Sequence, residues 1–416
     1  MGTASQDGRI VVIGAGVIGL SAGLALQARG FPVTVLDREG PAAGASAGNA
    51  GAFAFSDILP LASPGILRKA PRWLIDPLGP LSVPPAYAPL LLPWMLRFGR
   101  ACAPGRVAAS TEAQTALMDL SKAELEPFLA LSGTAAMLRR EGNLQVYDSE
   151  GEFAASLPGW EARARHGIAF NHLTAEEMAA LQPGLAPRFV RGTFTPDWYA
   201  ISDPKDYTVA LADRLRAAGG TIARAAVTGL RPDGDAVVIE TDAGMRRAAS
   251  VVLAAGAFSH RIARTLGERI PLETERGYNT TLPAGALDLR TQITFGGRGF
   301  VVTRLTDGIR VGGAVEFGGL ERPPNFRRAE AMLAKARAFL PDLKPEGGRP
   351  WMGFRPSLPD SLPVIGPARA TPRVVYAFGH GHLGLTQSAG TARLVADLLT
   401  GRSPPIDIAP FSPRRF

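Results

Sequence analysis

The apolar pattern is sharpest near the start of the chain. Ile10-Val11-Val12-Ile13 is an unbroken β-type run, and a second, Val33-Thr34-Val35-Leu36, ends on Asp37. Runs that are apolar at every position predict strands buried on both faces. Between them Gly14-Ala15-Gly16-Val17-Ile18-Gly19 opens a helical stretch. The same kind of run returns at Ser250-Val251-Val252-Leu253, delivering the small-residue turn Ala254-Ala255-Gly256. It returns once more at 373–378, followed by Gly379-His380-Gly381-His382-Leu383-Gly384-Leu385-Thr386 and a final helix through Leu399.

The middle of the chain has a different texture. Leu117, Leu120, Leu125 and Phe128 at helical spacing predict a long helix over 108–131. Glu141-Gly142-Asn143 reads as the turn of a strand, turn, strand unit over 138–147. Thr174 with Glu177 in capping-box position predicts a helix over 174–181, ended before Pro183. Asp203-Pro204 starts another, closed by Gly219-Gly220, and 327–339 reads as a surface helix. Strand-like runs fill 270–319, among them Phe300-Val301-Val302 and Ile309-Arg310-Val311-Gly312-Gly313. The expected fold is α/β: a Rossmann-like dinucleotide-binding domain from 1–60, 197–268 and 352–416, interrupted by an α+β domain from 61–196 and 269–351.

The first βαβ unit carries chemistry. Gly14 permits the tight turn, Gly16 lets a pyrophosphate approach the backbone, and Gly19 lets the helix pack on the sheet. The pyrophosphate is then met by free N–H groups at a helix N-terminus, with Val17 and Ile18 in the first turn. Asp37, about twenty residues on, is placed to accept hydrogen bonds from an adenosine ribose. A glycine-rich turn that binds nothing is the competing reading. Arg38 either contacts the adenosine side or is solvated.

Residues 59–99 are rich in proline and end in Ala88-Pro89-Leu90-Leu91-Leu92-Pro93-Trp94-Met95-Leu96. Proline is expected to break this stretch well short of the roughly twenty residues that span a bilayer. Two readings stay open: a cover over a ligand cavity, or a patch resting on a membrane surface.

Composition narrows the function classes. Of 416 residues 46% are hydrophobic and 20% charged, which describes a globular protein without long disordered tracts. The formal charge of +8 favours anionic small molecules or lipid headgroups, but the basic residues are scattered, so no nucleic-acid partner is expected. The single cysteine, Cys102, excludes an intrachain disulfide framework and a multi-cysteine metal site. His380 and His382 lack acidic or thiolate neighbours in sequence, so no metal is expected. With no apolar signal segment before the first strand, a cytoplasmic location is expected, with peripheral contact at the inner face of a membrane as the variant.

Four motifs, in order along nearly the whole chain, carry a resemblance. They are the N-terminal GAGVIG, Ala45-Ser46-Ala47-Gly48-Asn49-Ala50-Gly51, Trp351-Met352-Gly353-Phe354-Arg355-Pro356 with Pro359-Asp360-Ser361-Leu362-Pro363-Val364-Ile365-Gly366, and GHGHLGLT near the end. Together they resemble the D-amino-acid oxidase-like flavoproteins, most of all bacterial D-amino-acid dehydrogenases and their hydroxyproline-type relatives. The resemblance implies FAD. It implies oxidation of an amino acid or cyclic imino acid by hydride transfer from Cα to the flavin, giving an imine and then an oxo acid. A quinone, another carrier or oxygen would take the electrons.

It also implies roles. Arg355 is expected to clamp the substrate carboxylate, because a planar guanidinium forms two parallel charge-assisted hydrogen bonds; the alternative is a structural pairing with a carboxylate such as Asp360. Tyr278 matches a Gly-Tyr position and offers its hydroxyl to the same carboxylate, or is a buried strand-end tyrosine. His380 and His382 touch the flavin or shape the pocket. Ser46, Asn49, Ala50 and Gly51 meet the pyrophosphate and ring, and Val227, Ala255 and Gly256 meet the adenosine side. Gly353, Gly379 and Gly381 shape the ring's surroundings. The turn Gly384-Leu385-Thr386, opening the last helix, places a positive dipole end at the pyrimidine edge of the reduced ring. Three rivals share parts of the pattern: oxidation of N-methyl or other secondary amino acids, an RNA-modifying flavoprotein of the same fold, and a nicotinamide dehydrogenase.

Overall fold

A computed structural model describes residues 9–63, 65, 66 and 78–416. The apolar runs form a six-stranded sheet in the order Thr221–Arg224, Val33–Asp37, Ile10–Ile13, Ser250–Leu253, Val374–Phe378, Val364–Pro367. All pairs are parallel except the last. Ile13 is in register with Leu36 on one side and Leu253 on the other. The chain therefore leaves Gly14 at the carboxyl end of the sheet, where open α/β sheets take their ligands.

Leu20, Leu24 and Leu26 of the helix Val17–Gln27 bury against Leu211 and Leu215 of Pro204–Ala217 and against the last helix, Ser388–Leu399. The long helix predicted over 108–131 runs Pro104–Ser132 and sends Met118, Leu125, Phe128 and Leu129 into this same core. It thus packs with the dinucleotide-binding half, not with the second domain to which 61–196 was assigned, because its apolar stripe fits that core. A three-stranded meander, Val227–Asp233, Ala236–Thr241 and Gly244–Ala248, is added beside it.

A nine-stranded sheet forms the second half. Its central order is Arg349–Ser357, Glu273–Pro283, Gly308–Phe317, Phe300–Leu305, Gln292–Phe295, Asn143–Tyr147. Strict alternation divides its faces. Leu144, Ile293, Val302, Val311 and Leu282 pack under Met332, Ala336 and Phe339 of the helix Arg327–Phe339. The intervening Asn143, Thr294, Val301, Gly312 and Asn279 face a cavity. Arg349–Ser357 belongs wholly to this sheet, so the expected boundary at 352 falls inside a strand. The 138–147 unit is strand, turn, strand as expected, but its two strands do not pair with each other: Leu138–Arg139 pairs with Trp198–Ile201, whereas Asn143–Tyr147 enters the large sheet.

Of the 59–99 segment, residue 64 and residues 67–77 lie outside the described residues. Its end is a continuous helix, Ala88–Ala101, that accommodates Pro89 in its first turn and Pro93 inside, contrary to the expected break. Trp94 and Phe98 pack on Phe317, while Leu90, Leu92 and Leu96 are 70%, 56% and 58% exposed. Among the described residues no helix is long and apolar enough to cross a membrane.

Candidate active site

One cavity of about 1020 Å³ lies between the carboxyl end of the first sheet and the polar face of the second. Its dinucleotide end is built from the first turn. Gly14 has φ 110°, and a β-carbon there would fall 2.3 Å from the Ala254 carbonyl oxygen. A β-carbon on Gly19 would meet the Gly14 oxygen at 2.0 Å. Gly16 differs: its β-carbon would meet only the Ser46 hydroxyl, at 3.1 Å, so the space beside it opens into the cavity. The helix has no side-chain cap of its own, and Ser46 Oγ instead accepts the Val17 N–H at 2.9 Å. This is a cradle for an anionic pyrophosphate.

Asp37 is already an acceptor within the turn. Oδ2 takes the Ala15 N–H at 2.8 Å, and Oδ1 takes those of Glu39 and Gly40 at 2.9 and 2.8 Å. Arg38 stacks 3.8 Å over the Phe258 ring and pairs with Glu39. Val227, Ala255 and Gly256 border the same end, with Gly256 at φ 55°.

The 46–51 loop is pinned from both halves. Asn49 closes it locally, donating to the Ser46 carbonyl and accepting the Gly51 N–H. From the large sheet Asn279 donates to the Gly48 carbonyl at 2.7 Å, and Arg310 donates to the Asn49 carbonyl at 2.6 Å. The Trp351 indole fills the space that β-carbons on Gly48 and Gly353 would need, at 2.3 and 2.0 Å. Ala50 borders the cavity beside them.

At the other end of the loop Thr386 Oγ1 accepts the Ala54 N–H at 3.0 Å and donates to the Ala52 carbonyl at 3.4 Å. The last helix proper begins at Ser388, so Gly384, Leu385 and Thr386 form the turn before it. Gly379 and Gly381 adopt φ 88° and 56° and line the cavity. His380 does not present its ring for ligand chemistry: it is buried, Nε2 lies 3.0 Å from Thr391 Oγ1, and burial pushes its pKa down to about 3. His382 lies 3.3 Å from Asp57 Oδ2 at the cavity edge. Burial alone would raise the Asp57 carboxyl, but His382 and Arg163 outweigh it and hold it below the ordinary carboxylate value.

Arg355 is a partly buried cation at the cavity wall. It lines the cavity and has no ion pair or hydrogen bond among the described residues. The competing partner, Asp360, is taken by Arg415 at 2.7 Å. Burial lowers the Arg355 pKa and the nearby Glu275 opposes this; Glu275 itself accepts from Ser357 Oγ at 2.6 Å. Glu275, Gly277 and Arg355 share one face of the sheet.

Tyr278 therefore points to the other face, which corrects its expected role. Its hydroxyl donates to Glu316 and accepts the Asn325 N–H at 3.1 Å, and Arg276 pairs with Glu316 at 3.1 Å. Burial raises its pKa. It braces the sheet through its hydroxyl, which is engaged by Glu316 and Asn325, while the residue still borders the cavity.

Several cavity residues were invisible to motif reading. Arg163 donates to the Ser56 carbonyl at 2.8 Å and reaches Asp57, and Trp198 Nε1 donates to Ser56 Oγ at 2.5 Å. They come from an unpredicted helix, Glu150–Arg165, and from a strand of the three-stranded sheet that also holds Ala52–Ala54. Arg310 was legible only as part of a strand.

A dinucleotide cradle, a second glycine turn and, among the described residues, an unpaired arginine at a shared cavity are the features of a flavin-dependent oxidoreductase. Residues 9–398 match the family described as FAD dependent oxidoreductase, and the chain belongs to that family. It is 39% identical to a D-amino-acid oxidase of Bradyrhizobium diazoefficiens, covering 99% of each chain. It is 36% identical to a D-amino acid dehydrogenase of Paramagnetospirillum magneticum, over 98% of this chain and 99% of that one. Glycine oxidase from Geobacillus kaustophilus shares the fold with a TM-score of 0.78 at 23% identity, covering 98% of this chain and 99% of that one. FAD is the cofactor, and the residues present fit it: the Gly14–Gly19 turn and Ser46 for the pyrophosphate, the pinned 46–51 loop and the 384–386 turn for the ring.

Proposed function

We propose that the protein oxidises D-amino acids, including cyclic D-imino acids such as D-proline or hydroxyproline, at Cα. The observation that carries this reading is Arg355, a cavity arginine with no ion pair or hydrogen bond among the described residues, beside a glycine-cleared patch of sheet. Its fork takes the substrate carboxylate through two parallel N–H bonds and so fixes the α-carbon as well as supplying affinity. FAD, when bound, supplies the two-electron acceptor for the α-hydrogen. The polar sheet face and the walls around Trp160 and Trp198 keep the substrate positioned and limit water. No protein base is required, because the lone pair of the neutral amine drives the departure of the α-hydrogen as hydride. The product imine is then hydrolysed to an oxo acid or persists when cyclic.

Relatives named as oxidase and as dehydrogenase support an amino-acid substrate and leave the acceptor to experiment. We propose a quinone or other carrier. The exposed Leu90, Leu92 and Leu96, with Arg97 and Arg100 on a helix free of acids, support contact with an anionic membrane surface that would bring such a carrier close. Among the described residues of 59–99 only Leu61 borders the cavity, which favours this over the cover reading.

The test is the anaerobic visible spectrum of the FAD-loaded protein with D-, L-, N-methyl and cyclic amino acids. Bleaching by D-amino or D-imino acids, slow recovery in air and fast recovery with a quinone is the expected result. Bleaching by N-methyl acids alone assigns secondary amino acids instead, and no bleaching by any of them removes the substrate class. Flotation with anionic liposomes, lost in Leu92→Ser/Leu96→Ser, tests the membrane contact.

A further inference from the structure

Among the described residues Arg355 is not the one cavity arginine without an ion pair. Arg310, in the strand Gly308–Phe317, is 8% exposed and lines the same cavity. Its Nε donates to the Thr281 hydroxyl at 3.0 Å, and a terminal N–H donates to the Asn49 carbonyl at 2.6 Å. Both partners are neutral. The carboxylates that act on it, Asp203 and Asp307, do so only from a distance and are committed elsewhere. Asp203 caps the helix Pro204–Ala217, and Asp307 pairs with Arg349 at 2.9 Å. Burial pushes the guanidinium pKa down, yet arginine stays protonated. Burying a cation without a counter-ion is costly, and a bound anion at the cavity would offset that cost.

Register separates this charge from the substrate carboxylate. Arg310 is opposite Thr281, and Arg355 is opposite Glu275 farther along the same strand. At about 3.4 Å per residue the two positions stand roughly 20 Å apart. The Arg355 guanidinium lies over Gly277, while that of Arg310 is held at Thr281 and Asn49. What Arg310 does touch is the 46–51 loop, between the Ser46 cap and the strand Ala52–Ala54 that Thr386 holds. A hydride brings two electrons and one proton to the flavin and leaves the ring one negative charge.

We propose that Arg310 is the fixed cation of the flavin site: it positions the ring-binding loop through Asn49 and lends its charge to the reduced, anionic ring. The proposal rests on the FAD reading and not on the identity of the amino acid. It predicts that Arg310 sets how readily the bound flavin accepts electrons, whatever the substrate.

The experiment uses FAD-loaded wild type, Arg310→Lys and Arg310→Gln, with an anaerobic redox titration against a reference dye and a sulfite titration of the flavin band. Sulfite addition also leaves the ring anionic, so its affinity reports the local charge without turnover. Arg310→Gln is expected to bind sulfite about tenfold more weakly or worse and to have a lower potential, while Arg310→Lys stays close to wild type. Equal sulfite affinity and potential in wild type and Arg310→Gln overturns the proposal, even where FAD is held more weakly, because that pattern describes a loop tether alone. Where Arg310→Gln holds no FAD, Arg310→His carries the test. Its sulfite affinity relative to wild type at the same pH must fall as the imidazole loses its proton, and a ratio independent of pH overturns the proposal.

Discussion

Gly277 is the bed on which Arg355 lies: a β-carbon at 277 would fall 2.7 Å from the guanidinium carbon of Arg355. The two residues sit on neighbouring strands and share the cavity face. Gly277→Ala leaves the backbone in place and displaces the far end of a flexible side chain. We expect a folded, yellow protein whose KM rises about tenfold with kcat less affected, read by steady-state kinetics beside the flavin spectrum.

Replacing Arg355 itself removes two charge-assisted hydrogen bonds. At about 1.5–3 kcal/mol each, Arg355→Met is expected to lower kcat/KM by roughly 10² to 10⁴ while FAD content stays at the wild-type level. Arg355→Lys recovers charge but not the fork and should fall between the two. An Arg355→Met enzyme with wild-type kinetics would remove the substrate clamp from the mechanism.

Gly14 and Gly16 carry the same motif for different reasons, and substitution separates them. Gly14→Ala meets the Ala254 carbonyl and a φ of 110°, so it should lower the thermal midpoint and abolish FAD retention. Gly16→Ala meets only the Ser46 hydroxyl, so it should melt near wild type and lose FAD affinity instead. Thermal unfolding of apo and FAD-loaded samples distinguishes the two.

His380 supplies a pH signature of folding. Its folded pKa, about 3, lies below the ordinary 6.5, so between these values the unfolded chain binds the extra proton. Stability from this group is complete above the ordinary value and falls as pH drops through the window, by up to about 1.4 kcal/mol per pH unit. Denaturant unfolding of wild type and His380→Asn at successive pH values should show a shallower acid slope in the variant.

Turnover is expected to rise from neutral to alkaline pH as the substrate ammonium loses its proton. His380→Asn should leave this rise unchanged, since the imidazole is turned to Thr391. A flat rate profile counts against oxidation through the neutral amine.

The sheet strands were readable because parallel strands buried on both faces are apolar throughout, as in Ile10–Ile13 and Ser250–Leu253. Local capping chemistry placed the start of Ala175–Leu181, whose capping box is formed, and the pattern over 327–339 matches Arg327–Phe339. The helix Glu150–Arg165 escaped notice because it buries one large residue, Trp160, and contains Gly151, Pro158 and Gly159. In the site, the glycine turns and Arg355 lay in compact motifs. For Tyr278 the buried-tyrosine alternative is the one the structure favours, because alternation, visible only once Glu275 is paired with Arg355 and Gly277 with Gly353, turns its side chain to the opposite face. Arg310, Arg163 and Asp57 acquire meaning through partners distant in sequence, and no local pattern encodes that convergence.

The Trp351 indole, seated where β-carbons of Gly48 and Gly353 would stand, makes a rivet through the seam of the molecule. Gly48 belongs to the nucleotide loop and Gly353 to the substrate sheet, and the hydrogen bond from Asn279 to Gly48 tightens the same join. Trp351 and Gly353 share one strand, so the contact that crosses the join is the one between the indole and Gly48. The nucleotide loop and the large sheet are therefore joined by fitted packing as well as by hydrogen bonds, beside the cavity they share.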